Sequence, residues 1–200
     1  MKYAMLYRLG LTPWERYGKA AAGSIAALLD REEAERSRPW GRALDLGCGR
    51  GQYTPELARR GWSAVGVDVV PRAVDAARRR DDSGATYVLG DVTDLEAADL
   101  GTFDFFLDVG CFQGLSEEHR RAEGRGVTSL AAPGASLLML AFQATPIRAL
   151  VEGVSEREVD SAFAGWDIVG VEPAETRGLG WPMNRTSPQW YRLRLRPLAG

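Results

Sequence analysis

The chain has 200 residues, of which 45% are hydrophobic and 26% charged, with a formal net charge of −2. That length supports one α/β domain with a real core and leaves no room for a second full one. The charge excludes a strong electrostatic footprint for nucleic acid or an anionic membrane, no apolar run approaches the length of a span, and two cysteines make neither a disulfide framework nor a zinc set.

Met1 to Gly10 has no basic-then-apolar leader, so a cytoplasmic protein is expected. Thr12-Pro13-Trp14-Glu15 opens a helix with a capping box and a proline at its first turn. Trp14, Tyr17, Ala21, Ile25, Leu28 and Leu29 recur on one face of it, and the charged run Asp30 to Arg38 reads as a solvated helix end and linker. Residues 1–40 are therefore expected to cap the active site of a domain formed by residues 41–200.

A strand–helix alternation follows. Strands are predicted over Arg42–Leu46, Ser63–Val67, Thr86–Leu89, Phe103–Val109 and Ser136–Phe142. Helices are predicted over Thr54–Arg60, Pro71–Arg80, from Ser116 toward Leu130, and from the Ser155–Glu158 capping box to near Gly165. Trp166–Val171 and Gln189–Leu195 are two late strands with no helix between them, which predicts an antiparallel hairpin. The whole reads as a Rossmann-like α/β fold: seven strands, mostly parallel, with helices on both faces.

Asp45-Leu46-Gly47-Cys48-Gly49-Arg50-Gly51 directly follows the first strand. Close glycines let the backbone turn sharply and approach a ligand. The sixth position of a dinucleotide fingerprint holds Gln52 instead of Gly, and Asp45 would repel a pyrophosphate. A carboxylate at the loop mouth favours a cation instead. Asp68, followed by Val69, lies about 20 residues past the loop, the separation at which an acid meets a ribose. Asp91 and Val92 follow the third strand, suited to an adenine amine and ring. Asp108 and Val109 end the fourth. All lie at the carboxyl ends of parallel strands, where open α/β sheets bind ligands.

Together the glycine loop, Asp68, Gly90-Asp91 and the late strand pair resemble the class I S-adenosylmethionine-dependent methyltransferases, over roughly Arg42 to Leu195. The resemblance implies S-adenosyl-L-methionine as cofactor, with Asp68 on its ribose and Asp91 by its adenine. The compact length, Pro13-Trp14 and Val154-Ser155-Glu156 are similar to the thiopurine, tellurite and halide methyltransferase-like group, which often carries His where this chain has Gln113. A small-molecule acceptor, no nucleic acid or membrane partner, and a monomer or homodimer are expected.

Tyr7, Trp14, Tyr17, Phe112, Gln113, Phe142 and Trp181, with Met183, are candidates to line the acceptor cavity; plain core packing is the other reading of the aromatic ones. Arg177 and Arg185 either grip an acidic acceptor or are solvated. Asp108 either orients the acceptor or satisfies backbone donors at a turn. His119, the sole histidine, is a base or a surface residue. Cys111 has no residue placed to activate it as a nucleophile, and no metal is expected. The competing readings are a nicotinamide-dependent oxidoreductase, a non-catalytic cofactor-binding module, and a methyltransferase acting on nucleic acid or protein.

Overall fold

The computed structural model describes residues 13–143, 153–176 and 187–197. Helix α1 spans Pro13–Ala34 and leads into β1 (Arg42–Leu46). Then come α2 (Thr54–Arg60), β2 (Ser63–Asp68), α3 (Pro71–Arg80), β3 (Thr86–Leu89), β4 (Phe103–Val109) and α4 (Glu117–Ser129). The chain continues through β5 (Ala131–Phe142), α5 (Glu156–Ala162), β6 (Trp166–Pro173) and β7 (Pro188–Leu195). Short 3-10 turns at Leu95–Ala98 and Phe112–Gly114 escape prediction, because each is a single turn with no periodicity to read.

The strands form one sheet in the order β3-β2-β1-β4-β5-β7-β6. β1 to β5 run parallel; β7 is antiparallel to both β5 and β6, as expected of the terminal pair. Strand order reverses between β1 and β4, so the crevice above their carboxyl ends is the topological switch point.

Alternate residues of the strands face opposite layers. Phe105, Leu107, Leu138 and Leu140 pack with Ile25, Leu28 and Leu29 of α1 and Leu57 of α2. Phe106, Leu137 and Met139 pack with Val127 of α4 and Val159 of α5. Both faces are covered, which is why β4 is apolar apart from Asp104 and Asp108 near its ends.

The stretch Asp30–Arg38 is mostly exposed, as a solvated helix end should be, but Glu32 and Arg36 turn inward. Glu32 is 3% exposed and accepts from Arg36, Arg192 and the Ser136 hydroxyl. Arg36 also reaches the Asp104 carbonyl at 2.9 Å. These charges clamp the end of α1 onto β4, β5 and β7. Burial alone would raise the pKa of Glu32, but its hydrogen bonds and the two guanidiniums bring it below the ordinary value.

Candidate active site

The glycine loop leaves β1 with Gly47, Gly49 and Gly51 all at positive φ, at 66°, 56° and 75°. Gly47 and Gly51 are also sterically required. A Cβ on Gly47 would lie 2.8 Å from Cys111 Sγ, and one on Gly51 would lie 2.8 Å from the Tyr87 hydroxyl. The loop is held between the tip of β4 on one side and β3 on the other.

Asp68 closes the clasp. Its Oδ2 accepts from the Gly49 N–H at 2.9 Å and its Oδ1 from the Val70 N–H at 2.8 Å. An ionised carboxylate has about four acceptor positions, so two stay open beside the loop. Burial raises its pKa, and the two backbone donors counter that. Val69 is 60% exposed beside it, an apolar side chain turned toward solvent at the tip of β2.

Asp45 is placed differently from expectation. It does not sit at the loop mouth; it is buried beneath the loop and accepts the Thr54 hydroxyl at 2.6 Å. Burial, with the nearby charges of Asp108 and Asp68, pushes its pKa up to about 7. Its effect on a ligand is exerted through the loop, because β1 is a central strand and its side chains are enclosed by helices.

Asp91 is exposed after β3, with Oδ1 accepting from the Thr93 N–H and hydroxyl. Val92 is buried among core residues, so it offers no open apolar wall. Asp108 is fully buried at the end of β4 and accepts from the Cys111 and Phe112 N–H groups at 2.8 and 2.9 Å. Of its two readings, the structure supports the satisfying of backbone donors. Val109, next in the strand, is half-buried.

Two aromatic candidates are corrected. Phe112 is 0% exposed and stacks against Phe163 at 5.6 Å, and Phe142 is buried in the opposite core layer. Phe142 ends β5 on the face covered by α1 and α2, whereas the 3-10 turn after β4 carries Phe112 into the layer of α4 and α5. His119 is exposed on the first turn of α4, where its N–H meets the capping Ser116, and no described residue bonds its ring. Tyr7, Trp181, Met183, Arg177 and Arg185 lie outside the described residues, as do the side chains of Trp14 and Tyr17.

Gln113 is half-buried at the top of the cleft. Its Oε1 accepts from the Phe142 N–H at 3.0 Å, and its carbonyl accepts from Arg120. That oxygen keeps a second lone pair, and the amide nitrogen has two N–H donors to offer.

Two contributors were not singled out from sequence. Thr54 was read only as a helix start. Glu123 is fully buried on α4, its carboxyl beside Asp108. Its signal was available: Arg120, Glu123 and Val127 fall at i, i+3 and i+7, one helix face, so an acid interrupts an inward stripe.

The sheet order, the reversed final strand and a glycine loop clasped at the switch point define the class: the methyltransferase variant of the Rossmann-like fold. Residues 43–134 match the family described as a methyltransferase domain. The 2-heptyl-1-hydroxyquinolin-4(1H)-one methyltransferase of Mycobacteroides abscessus is 30% identical over 150 residues, covering 70% of this chain and 65% of that protein. The ubiquinone biosynthesis O-methyltransferase of Xanthomonas campestris pv. campestris is 33% identical over 124 residues, covering 59% and 50%. The chain thus spans between half and about two thirds of the length of these curated relatives. Magnesium protoporphyrin IX methyltransferase from Synechocystis PCC 6803, solved with bound SAM, shares the fold with a TM-score of 0.66 at 17% identity, over 90% of this chain and 80% of that one. Residues 43–134, just under half of the chain, thus resemble a methyltransferase domain, and the fold is that of a solved methyltransferase with bound SAM.

Proposed function

We propose that the chain binds S-adenosylmethionine above the switch point and transfers its methyl group to a small-molecule acceptor. The observation that carries this reading is the clasp: a glycine loop with no room for a side chain at Gly47 or Gly51, pinned by an acidic Asp68 that keeps open acceptor positions. The residues fit that group. Asp45, Asp68, Asp91 and Asp108 gather at the strand tips. Such a setting disfavours a pyrophosphate and suits a sulfonium and an ammonium.

In this reading Asp68 accepts the ribose hydroxyls and Asp91 accepts from the adenine amine. Val69 covers one face of the ring, and the Gly47–Gly51 backbone lies along the amino-acid end. The cofactor, when bound, supplies an activated methyl on sulfur. The protein's share is alignment and exclusion of water. Asp45 and Asp108 act from below, by fixing the loop after β1 and the turn after β4. Gln113 presents its amide N–H groups to the acceptor, which suits an acceptor carrying an oxygen lone pair or negative charge. An amide is too weak a base to take a proton at neutral pH, so an acceptor atom already rich in electrons fits it best. Two relatives whose names place them on a hydroxyquinolone and in ubiquinone biosynthesis support a small aromatic acceptor. The compact chain and Val154-Ser155-Glu156 support the narrower likeness to the thiopurine, tellurite and halide group. Residues 1–40 would complete the cavity from above.

Calorimetry with S-adenosylhomocysteine, and separately with NAD, tests the reading. The former should bind; binding of NAD alone would overturn it. Asp68→Ala should weaken S-adenosylhomocysteine by about 1–3 kcal/mol, from lost charge-assisted hydrogen bonds. Unchanged affinity in that variant would remove Asp68 from the ribose. A screen of hydroxylated and N-hydroxylated heteroaromatics with isotope-labelled methyl donor identifies the acceptor.

A further inference from the structure

Behind the turn that follows β4 lies an acidic group the preceding reaction scheme does not use. Glu123 of α4 is 0% exposed, and neither carboxyl oxygen receives a hydrogen bond. A carboxyl oxygen of Glu123, one of Asp108 and the sulfur of Cys111 all lie within 4.8 Å of one another.

The charges around Glu123 are one-sided. From β4 it faces Asp108, from the following turn Cys111, and from the loop after β3 Asp91. Asp45 and Asp68, at the tips of β1 and β2, add to the negative charge around Cys111. The nearby cation is Arg120, one turn back on the same helix. Its donors are committed to the Phe112 and Gln113 carbonyls and to Glu158. An ionised Glu123 would thus be a buried charge beside a second carboxylate, which costs several kcal/mol. A neutral carboxylic acid, in contrast, has a hydrogen to donate, and Asp108 is the acceptor beside it.

The two acids are not equivalent. Asp108 already accepts two backbone N–H bonds, which favour its charged form. Glu123 accepts none. We infer that Glu123 keeps the proton and donates it to Asp108, and that the pair holds the turn of residues 110–114 against β4, making Glu123 a positioning residue for the acceptor side of the site. The turn carries Gln113, whose amide is braced on Phe142 and whose carbonyl is braced on Arg120. Loss of the proton to solvent would set two carboxylates against each other and loosen the Cys111 and Phe112 N–H bonds. The shared proton is independent of the proposed function; its consequence for acceptor binding rests on that function.

Hydrogen exchange of the Cys111 and Phe112 amides in the ligand-free protein tests this directly, with reference amides in β5 as internal control. Glu123→Gln keeps a donor and should leave both amides protected. Glu123→Ala should speed their exchange about tenfold or more. In the wild type, protection should fall at alkaline pH beyond the ordinary base-catalysed rise; in Glu123→Gln it should not. The infrared difference spectrum between the wild type and Glu123→Gln at neutral pH should contain the band of one protonated carboxyl, the contribution of Asp45 being common to both, a readout that requires no destabilised variant. Equal protection across all three proteins and all pH values would overturn the inference. So would a stoichiometric divalent metal retained by the wild type and lost from Glu123→Gln, which would make the three groups ligands. S-adenosylhomocysteine binding is measured alongside. Its absence from the wild type would sink the methyltransferase reading while leaving the exchange result to decide the proton.

Discussion

At the scale of single residues, the site depends on buried acids whose partners are few and specific. Asp45 has one side-chain donor, the Thr54 hydroxyl, and both residues are almost wholly enclosed. Thr54→Val removes the donor with little change in volume, so the loss is of hydrogen bonding and not of packing. We expect it to destabilise the fold by about 1–3 kcal/mol, measured by urea denaturation, the penalty for an unsatisfied buried polar group. Asp45, already held up at about 7, should then retain its proton to higher pH. A neutral effect would mean that the loop is held by Asp68 alone.

At the scale of elements, α4 and α5 approach closely enough to exclude a side chain. A Cβ on Gly124 would lie 2.0 Å from the Ala162 carbonyl oxygen. Alanine is favoured over glycine in a helix interior by about 1 kcal/mol. Here the clash outweighs that gain, because the obstacle is backbone and cannot swing aside. Gly124→Ala should therefore lower stability by on the order of 3 kcal/mol, read from the denaturation midpoint. The same helix pair aligns Glu123 with Asp108, so the variant should also weaken protection of the turn after β4. At the other end of the sheet, the clamp of Glu32, Arg36, Ser136 and Arg192 fixes where α1 crosses β5 and β7. Glu32 lies 104 residues from Ser136 and 160 from Arg192 in the chain, so only the closed sheet assembles it.

At the scale of the whole molecule, the buried acids give stability a pH dependence of definite sign. Asp45, Asp68, Asp108 and Glu123 all have pKa values raised in the folded state, burial being the leading cause. Such a group binds more protons folded than unfolded. Its contribution is complete below the unfolded pKa and is lost as pH rises through the folded one. For Asp45 that window runs from 3.8 to about 7. Glu32, Glu35 and Asp81 are lowered, so their contribution is lost only as pH falls below the ordinary carboxylate range. The thermal midpoint should therefore decline between pH 5 and pH 8, by roughly 2–4 °C per kcal/mol lost for a chain of this size. A midpoint that rises across that interval would contradict the burial of these groups.

The amino-acid sequence by itself determined the order of elements, the mostly parallel sheet with its reversed last strand, and the place of the loop at Gly47–Gly51. These are local or periodic properties: capping residues, alternation of apolar positions and glycine spacing act over a few residues. Ser155 and Glu158 form their capping box as read. Only the tertiary structure decided the depth of Asp45, the inward turn of Phe112 and Phe142, and the pairing of Glu123 with Asp108. Burial and the meeting of distant groups depend on which face of an element is covered and by what, and no spacing within one segment carries that information.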